Sequence, residues 1–161
     1  MIRRTLLVCL GAIALARSGL DAVAGGATSP KIEPLRLTDA EWQKRLSASQ
    51  YRVLRKSGTE AAHTSVLNSE KRSGVYHCAG CELPLFASGT KFDSGTGWPS
   101  FFDPLPGAVA TKTDFSLIFP RTEYHCVRCE GHQGHVFKDG PAPTGKRYCN
   151  NGVALRFAAA A

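Results

Sequence analysis

Two C-x-x-C motifs constrain the fold of this chain more than any other feature. Cys78 and Cys81 form the first motif, Cys126 and Cys129 form the second, and 44 residues separate them. Two residues between cysteines let both sulfurs of a motif reach one ion, and two such motifs complete a tetrahedral shell of four sulfurs. The spacing predicts one structural Zn²⁺ per chain, with disulfides or redox dithiols as open alternatives. Another cysteine, Cys149, lies outside this set.

The first 24 residues have the pattern of an export signal. Arg3 and Arg4 form a basic start, and the apolar stretch at residues 5–16 is shorter than the roughly 20 residues that span a bilayer. Small residues at positions 22 and 24 fit a cleavage site. We expect residues 1–24 to be a signal peptide cleaved near Ala24/Gly25. The mature protein is then exported, most simply to a periplasm, with no membrane attachment and by either the Sec or the twin-arginine route.

The charge of the chain argues against a dedicated nucleic-acid binder. The formal net charge of +7 falls to +5 when three arginines and one aspartate leave with residues 1–24. Four thiolates around one Zn²⁺ lower it further, to about +3. The remaining basic residues are scattered rather than clustered. With 161 residues the chain is long enough for one domain, and we expect a monomer.

Two short helices are predicted where the folded part begins. Thr38 and Glu41 have the spacing of a capping box, which predicts a helix directly after Thr38. Ser47 and Gln50 repeat that spacing and predict a second helix over residues 51–56.

The folded domain is predicted to span residues 36–161, after a linker at residues 25–35. Beyond Gly74, short runs of aromatic and β-branched residues alternate with Gly, Pro, Asp and Ser, a pattern typical of a mainly β, antiparallel domain. The predicted strands are 75–78, 83–86, 98–102, 109–113, 115–119, 123–127, 135–137 and 153–157. Both cysteine motifs fall at strand ends, where a metal can staple two β layers together.

Several longer stretches match one enzyme family when they are read in order. They are Tyr51–Arg55 with Gly58–Glu60, Cys78–Cys81, Lys91–Phe101, Arg121–Glu123, Gly134–Phe137 and Arg147–Cys149. Together they resemble the B-type methionine sulfoxide reductases, which act on the R epimer, over about residues 36–157. The resemblance implies two antiparallel β-sheets stapled by the four-cysteine zinc site. It also implies reduction of methionine (R)-sulfoxide in oxidised proteins.

The resemblance further implies a role for each of five residues. Cys149 takes the position of the catalytic nucleophile. His132 and His135 supply the acid/base groups, and Asn151 contacts the sulfoxide or a water. Trp98 forms the wall that receives the methyl group of the substrate, and an indole face suits such a group physically.

Sulfur chemistry gives an independent reason to single out Cys149. A sulfoxide is reduced when a thiolate attacks its sulfur while its oxygen is protonated, which favours a cysteine with a lowered pKa. Arg147 is two residues away and lies on the same face of a strand. We expect Arg147 to act in the substrate pocket or on the thiolate, with a surface salt bridge as the alternative.

The two histidines lie three residues apart, which places them on opposite faces of a regular strand. Gly131 and Gly134 are expected to bend this segment so that both rings reach the pocket.

Recycling of Cys149 is predicted to need an outside thiol. Thr96 occupies the position where many family members carry a second, resolving cysteine, and Cys9 falls in the predicted signal peptide. A thioredoxin-like protein or another thiol reductant must then reduce Cys149, unless a metal-binding cysteine gives up its ion. A thiol-disulfide oxidoreductase and a non-catalytic, zinc-ribbon-like binding module remain the alternative functions.

Overall fold

Two capped helices open the fold. In the computed structural model, which describes residues 31–161, α1 spans Asp39–Arg45 and α2 spans Ala48–Lys56. Both predicted capping boxes form, and the second helix begins three residues earlier than predicted because Ser47 itself is the N-cap. The predicted signal peptide lies outside the described residues, as does most of the predicted linker.

Nine strands in residues 31–161 form the two antiparallel sheets that were predicted, although the strands Lys91–Phe92 and Arg147–Asn150 were not among the eight predicted strands. The smaller sheet contains β1 (Gly74–Cys78), β2 (Pro84–Ala87) and β9 (Leu155–Ala159) in the order β2-β1-β9. The larger sheet has the order β3-β4-β8-β7-β6-β5. Its strands are β3 (Lys91–Phe92), β4 (Ser100–Phe101), β5 (Val109–Asp114), β6 (Arg121–Cys126), β7 (His132–Phe137) and β8 (Arg147–Asn150).

Aromatic side chains join the two sheets. Phe86 of the smaller sheet stacks on Phe101 of the larger one, with ring centroids 4.2 Å apart. Tyr76 meets the same Phe101 ring edge-on at 4.9 Å, and all three side chains are fully buried. Each such pair adds about 0.5–1.5 kcal/mol beyond the burial of its area. This core fixes the position of β4, which lies directly beside β8.

The strand predicted at residues 115–119 is wrong, because this segment is a loop. β5 and β6 pair as a hairpin in which Asp114 lies opposite Arg121, so the residues between them connect the strands. Pro120 lacks the N–H that a continued ladder needs. The composition is that of a strand, but Phe115, Ile118 and Phe119 all face solvent.

Among residues 31–161, no helix combines the length and the apolar character that a membrane crossing requires.

Candidate active site

The four motif cysteines come together in a buried cluster. Their sulfurs all lie within 4.8 Å of one another, with Cys78 3.6 Å from Cys129 and Cys81 3.5 Å from Cys126. Four thiolates at about 2.3 Å from one Zn²⁺ lie about 3.8 Å apart. The cluster therefore has the donor set and the dimensions of a tetrahedral metal site, and the described residues contain no disulfide.

Both motifs adopt the same local turn. Glu82 and Glu130, which directly follow the second cysteine of each motif, have left-handed φ values of 64° and 58°. Their N–H groups donate to the carbonyl oxygens of Cys78 and Cys126, at 2.8 Å in both cases. The matched turns bring two sulfurs of each motif to the same point, as a shared ion requires.

The helices hold these turns in place. Arg45 of α1 donates to the carbonyl oxygen of Gly80 at 2.8 Å, and Arg55 of α2 donates to that of Cys129 at 2.7 Å. The metal site thus ties both helices to both sheets.

A separate cavity of about 110 Å³ opens on the larger sheet and contains Cys149. Cys149 lies on β8, between β4 and β7, where it pairs with Ser100 on one side and His135 on the other. The cavity is lined by Thr59, Trp98, Arg121, His135, Phe137, Cys149, Asn150 and Asn151. Of the residues predicted from the sequence, Trp98, His135, Cys149 and Asn151 meet in this wall.

Burial and neighbouring side chains shift the pKa of the Cys149 thiol in opposite directions. Burial raises its pKa above the ordinary value for cysteine and is the largest effect. The positive charge of Arg147 and the hydroxyl group of Thr96 act in the opposite direction. The hydroxyl group of Thr96 also lies 2.8 Å from that of Ser94, within hydrogen-bond distance.

Arg147 does not line the cavity, but its charge affects the pKa of Cys149. It is only 7% exposed and forms a salt bridge with Asp139, whose side chain is 61% exposed, so the salt-bridge alternative stands beside the effect on the thiol. Asp139 accepts two hydrogen bonds from its guanidinium group, at 2.9 and 2.8 Å, and the ring of Phe137 lies 4.3 Å below. This pairing orients the guanidinium group, whose positive charge lowers the pKa of Cys149.

A bulge in β7 accounts for the two histidines. Glu123 pairs with His135 and His125 pairs with His132, so two steps along β6 face three steps along β7. The rings of His132 and His135 consequently lie 5.4 Å apart, but only His135 reaches the cavity wall.

His135 and His132 have different surroundings. Nε2 of His135 lies 2.7 Å from a carboxylate oxygen of Asp114, which also accepts a hydrogen bond from Arg121 at 2.7 Å. His132 is buried, and its Nδ1 lies 3.2 Å from Glu123 without hydrogen-bond alignment. Burial lowers the pKa of His132, which favours its neutral form.

Glu60 organises the opposite side of the cavity. Its carbonyl oxygen accepts from the indole N–H of Trp98 at 3.1 Å, and its own N–H donates to the side-chain oxygen of Asn151 at 2.9 Å. Its buried carboxylate accepts from the N–H groups of Gly152 and Val153. One residue thus fixes both Trp98 and Asn151.

A buried polar chain links the cavity wall to the metal site. The amide of Gln133 donates to the Cys78 sulfur at 3.4 Å and accepts from Asn150 at 3.5 Å. The hydroxyl group of Tyr124 donates to Asn150 at 2.6 Å. Gln133, Asn150 and Tyr124 are fully buried, so these contacts replace water for groups that would otherwise be unpaired.

Several residues of the site, including Glu60, were not predicted from the sequence. Thr59, Arg121 and Phe137 lie within stretches that carry the family resemblance, which is the signal that pointed to them. Asn150 is a neighbour of the predicted nucleophile. Asp114 had no signal, because one carboxylate at a strand end is common.

Comparison with known proteins places the chain in one family. A family model described as the SelR domain matches residues 46–159. "Peptide methionine sulfoxide reductase B1, chloroplastic" of Oryza sativa subsp. japonica is 55% identical over 122 residues, which cover 75% of this chain and 57% of that protein. "Peptide methionine sulfoxide reductase MsrB" of Agrobacterium fabrum is 49% identical over 131 residues, which cover 81% of this chain and 95% of that protein.

The match to the plant relatives is partial in length. The matched region spans 57% of the rice protein and 60% of the relative of the same name from Arabidopsis thaliana. The relative named MsrB from Pseudomonas putida strain W619 is 54% identical and is covered over 89% of its length. On the extent of the family match and these identities, the chain belongs to the SelR domain family.

Proposed function

We propose that this chain reduces methionine (R)-sulfoxide in polypeptides to methionine, with Cys149 as the nucleophile. The observation that carries the proposal is the cavity, in which Cys149, Trp98, His135 and Asn151 share one wall. The names of the relatives, all peptide methionine sulfoxide reductases, support the same reaction.

The proposed reaction moves one oxygen and two electrons. The Cys149 thiolate attacks the sulfoxide sulfur and forms a transient S–S bond while the oxygen takes up a proton. The oxygen then shifts to the Cys149 sulfur as the original S–O bond and the S–S bond break, which leaves a sulfenic acid on Cys149. The substrate sulfur is reduced by two electrons, Cys149 is oxidised by two, and methionine leaves. The flat indole of Trp98, held by Glu60, offers an apolar surface to the methyl group.

We assign the proton that the oxygen needs to His135. His135 lies opposite Cys149 in the β7–β8 pairing and lines the cavity. Asp114 fixes its ring by the contact at Nε2. His132 is assigned a supporting role behind His135, because it is buried and outside the wall. Asn151 is the polar contact for the sulfoxide oxygen or a water.

We propose zinc as the metal of the cysteine cluster, with a structural role. Cys78, Cys81, Cys126 and Cys129 would hold it, and four ligands from the protein leave no open position for substrate. A bound ion would supply folding energy rather than reaction chemistry.

We propose that an external thiol completes the cycle. Within residues 31–161, Cys149 is the only cysteine outside the metal cluster, and Thr96 occupies the position where many family members carry a resolving cysteine. A thiol attacks the sulfenic acid, water leaves, and a second thiol releases Cys149 from the mixed disulfide. The absence of a paired thiol here also disfavours the thiol-disulfide oxidoreductase alternative. The chain needs no partner subunit for this cycle, so we propose a monomer.

The direct test is turnover of purified R and S epimers of a methionine sulfoxide peptide with dithiothreitol as reductant. We expect reduction of the R epimer alone, and loss of turnover in Cys149→Ser with an unchanged circular dichroism spectrum. Thr111→Ser, an exposed change on the same sheet, is the control and should be fully active. Turnover of disulfides but neither epimer would favour the oxidoreductase, and no turnover of any of them would favour the binding module.

We also propose export, from residues 1–24 alone. N-terminal sequencing of the native protein should give a start at or near Gly25, in a fraction outside the cytoplasm. A native protein that begins at Met1 or Ile2 in the cytoplasmic fraction would contradict export.

A further inference from the structure

The loop between β5 and β6 exposes an apolar cluster that the reaction chemistry does not use. Its large side chains are Phe115, Leu117, Ile118 and Phe119, which are 74%, 57%, 94% and 80% exposed. Among the described residues only Val66 is a comparably exposed large hydrophobic residue, and it lies on a different element. Contiguous apolar groups in solvent are typical of surfaces that bind a partner. We call residues 115–119 the hairpin tip.

The hairpin tip is joined directly to the candidate active site. Asp114 and Arg121 pair across the base of the loop, and both belong to the site. Asp114 contacts His135, and Arg121 lines the cavity. Every tip residue is within three residues of one of them, so about 10 Å of chain at most separates it from the rim.

The neighbouring strand is suited to an extended partner. β5 is one of the two outer strands of the larger sheet and pairs only with β6. An outer strand leaves one row of N–H and C=O groups free, and an extended peptide can align along such an edge. The hairpin tip directly follows β5 in the chain, so an extended peptide aligned along this edge would end beside the tip.

The residues that flank an oxidised methionine in a polypeptide are expected to be apolar. Methionine packs in apolar cores, and its oxidation disrupts them, so its sulfoxide is presented by segments whose apolar neighbours are exposed. We propose that the hairpin tip is the docking surface for apolar residues that flank the oxidised methionine in an unfolded polypeptide. This inference rests on the proposed function and adds a substrate preference to it.

The placement favours this occupant over other proteins. A substrate is held in the cavity by its oxidised side chain, so residues two or three positions away lie within about 10 Å of chain from it, the same span that joins the tip to Arg121 in the cavity wall. A thiol reductant or a second copy of the chain has no side chain held in the cavity in this way, so nothing requires it to place apolar residues beside the tip.

The test compares two peptides that each contain one methionine sulfoxide, flanked by Leu and Phe in one and by Ser and Gly in the other. N-acetyl methionine sulfoxide is the small reference substrate, and dithiothreitol replaces any protein reductant. We expect the wild-type protein to prefer the apolar peptide through a lower KM. In Phe115→Ser/Ile118→Ser/Phe119→Ser, kcat/KM for that peptide should fall roughly tenfold. Activity on the other two substrates should stay unchanged, and Val66→Ser should alter none of them.

Each contrary outcome overturns the docking proposal in a recognisable way. Equal kcat/KM for both peptides in the wild-type protein excludes an apolar docking surface even if the triple variant does not fold. A loss observed only with a thioredoxin-like reductant assigns the tip to that reductant. A dimer that the triple variant abolishes assigns it to a second copy. Failure of the proposed function is distinct, because the wild-type protein would then not reduce N-acetyl methionine sulfoxide either.

Discussion

At the scale of the residue, the ionisation of Cys149 depends on a balance between burial and two neighbours. Burial raises its pKa, while Arg147 and Thr96 lower it. We expect Arg147→Met to remove the favourable charge and shift the pH profile of Cys149 alkylation to higher pH. Thr96→Val should shift it in the same direction, by less than Arg147→Met does. Iodoacetamide kinetics across pH measure both shifts, and a profile that moves to lower pH would contradict this balance.

Asp114 is the positioning residue for His135 in this account. Asp114→Asn keeps the size of the side chain but removes the charge that holds the ring, so we expect kcat to fall. The fall should be roughly 10- to 100-fold, less than the 10²–10⁴ that a general acid supplies. KM should change little, because Asp114 does not line the cavity. Glu33→Gln, at an exposed ion pair, is the control. Unchanged kcat in Asp114→Asn would remove Asp114 from the mechanism.

How much of the site the sequence predicts depends on the range of each contact. Cys149, Trp98 and Asn151 lie in long motifs, so the resemblance identified them, and the structure places all three in the cavity wall. Asp114 and His135 are 21 residues apart in the sequence and lie on different strands. Their contact depends on the register of these strands, and no local sequence pattern predicts that register. The raised pKa of Cys149 was missed for a similar reason, since burial is a property of the assembled fold.

At the scale of the element, β7 and β8 must lie close together for the site to exist. A Cβ atom on Gly134 would overlap the carbonyl oxygen of Cys149 on the neighbouring strand. Gly134→Ala should therefore lower the free energy of unfolding by about 1–3 kcal/mol and also reduce activity. Gly89→Ala meets nothing within 4 Å and serves as the matched control. Denaturant titration measures both, and equal stabilities would contradict the close approach.

Local signals explain which elements were predicted correctly. The two helices were identified because each capping box is complete within four residues. The segment 115–119 was predicted as a strand because its composition favours β structure. Its state is decided instead by the pairing of Asp114 with Arg121 at the end of the β5–β6 ladder, which leaves it as a loop.

At the scale of the whole molecule, the cysteine cluster connects the two sheets and the helices. Metal binding in such sites contributes about 10–16 kcal/mol, comparable to the total stability of about 5–15 kcal/mol of a domain. We expect about one zinc per chain by elemental analysis, and loss of folded structure in Cys129→Ser or after chelation. Cys149→Ser should keep both metal and fold. A metal-free protein that stays folded with Cys78 bonded to Cys81 would contradict the metal site.

The central claim is that Cys149 alone accepts the oxygen, and one turnover without any reductant tests it most directly. Mature, zinc-loaded protein is mixed with excess methionine (R)-sulfoxide peptide, trapped with a sulfenic-acid reagent and mapped by mass spectrometry. We predict one methionine per chain, a sulfenic acid on Cys149 and no intramolecular disulfide. Unreduced peptide, or an intramolecular disulfide that contains Cys149, would contradict the account.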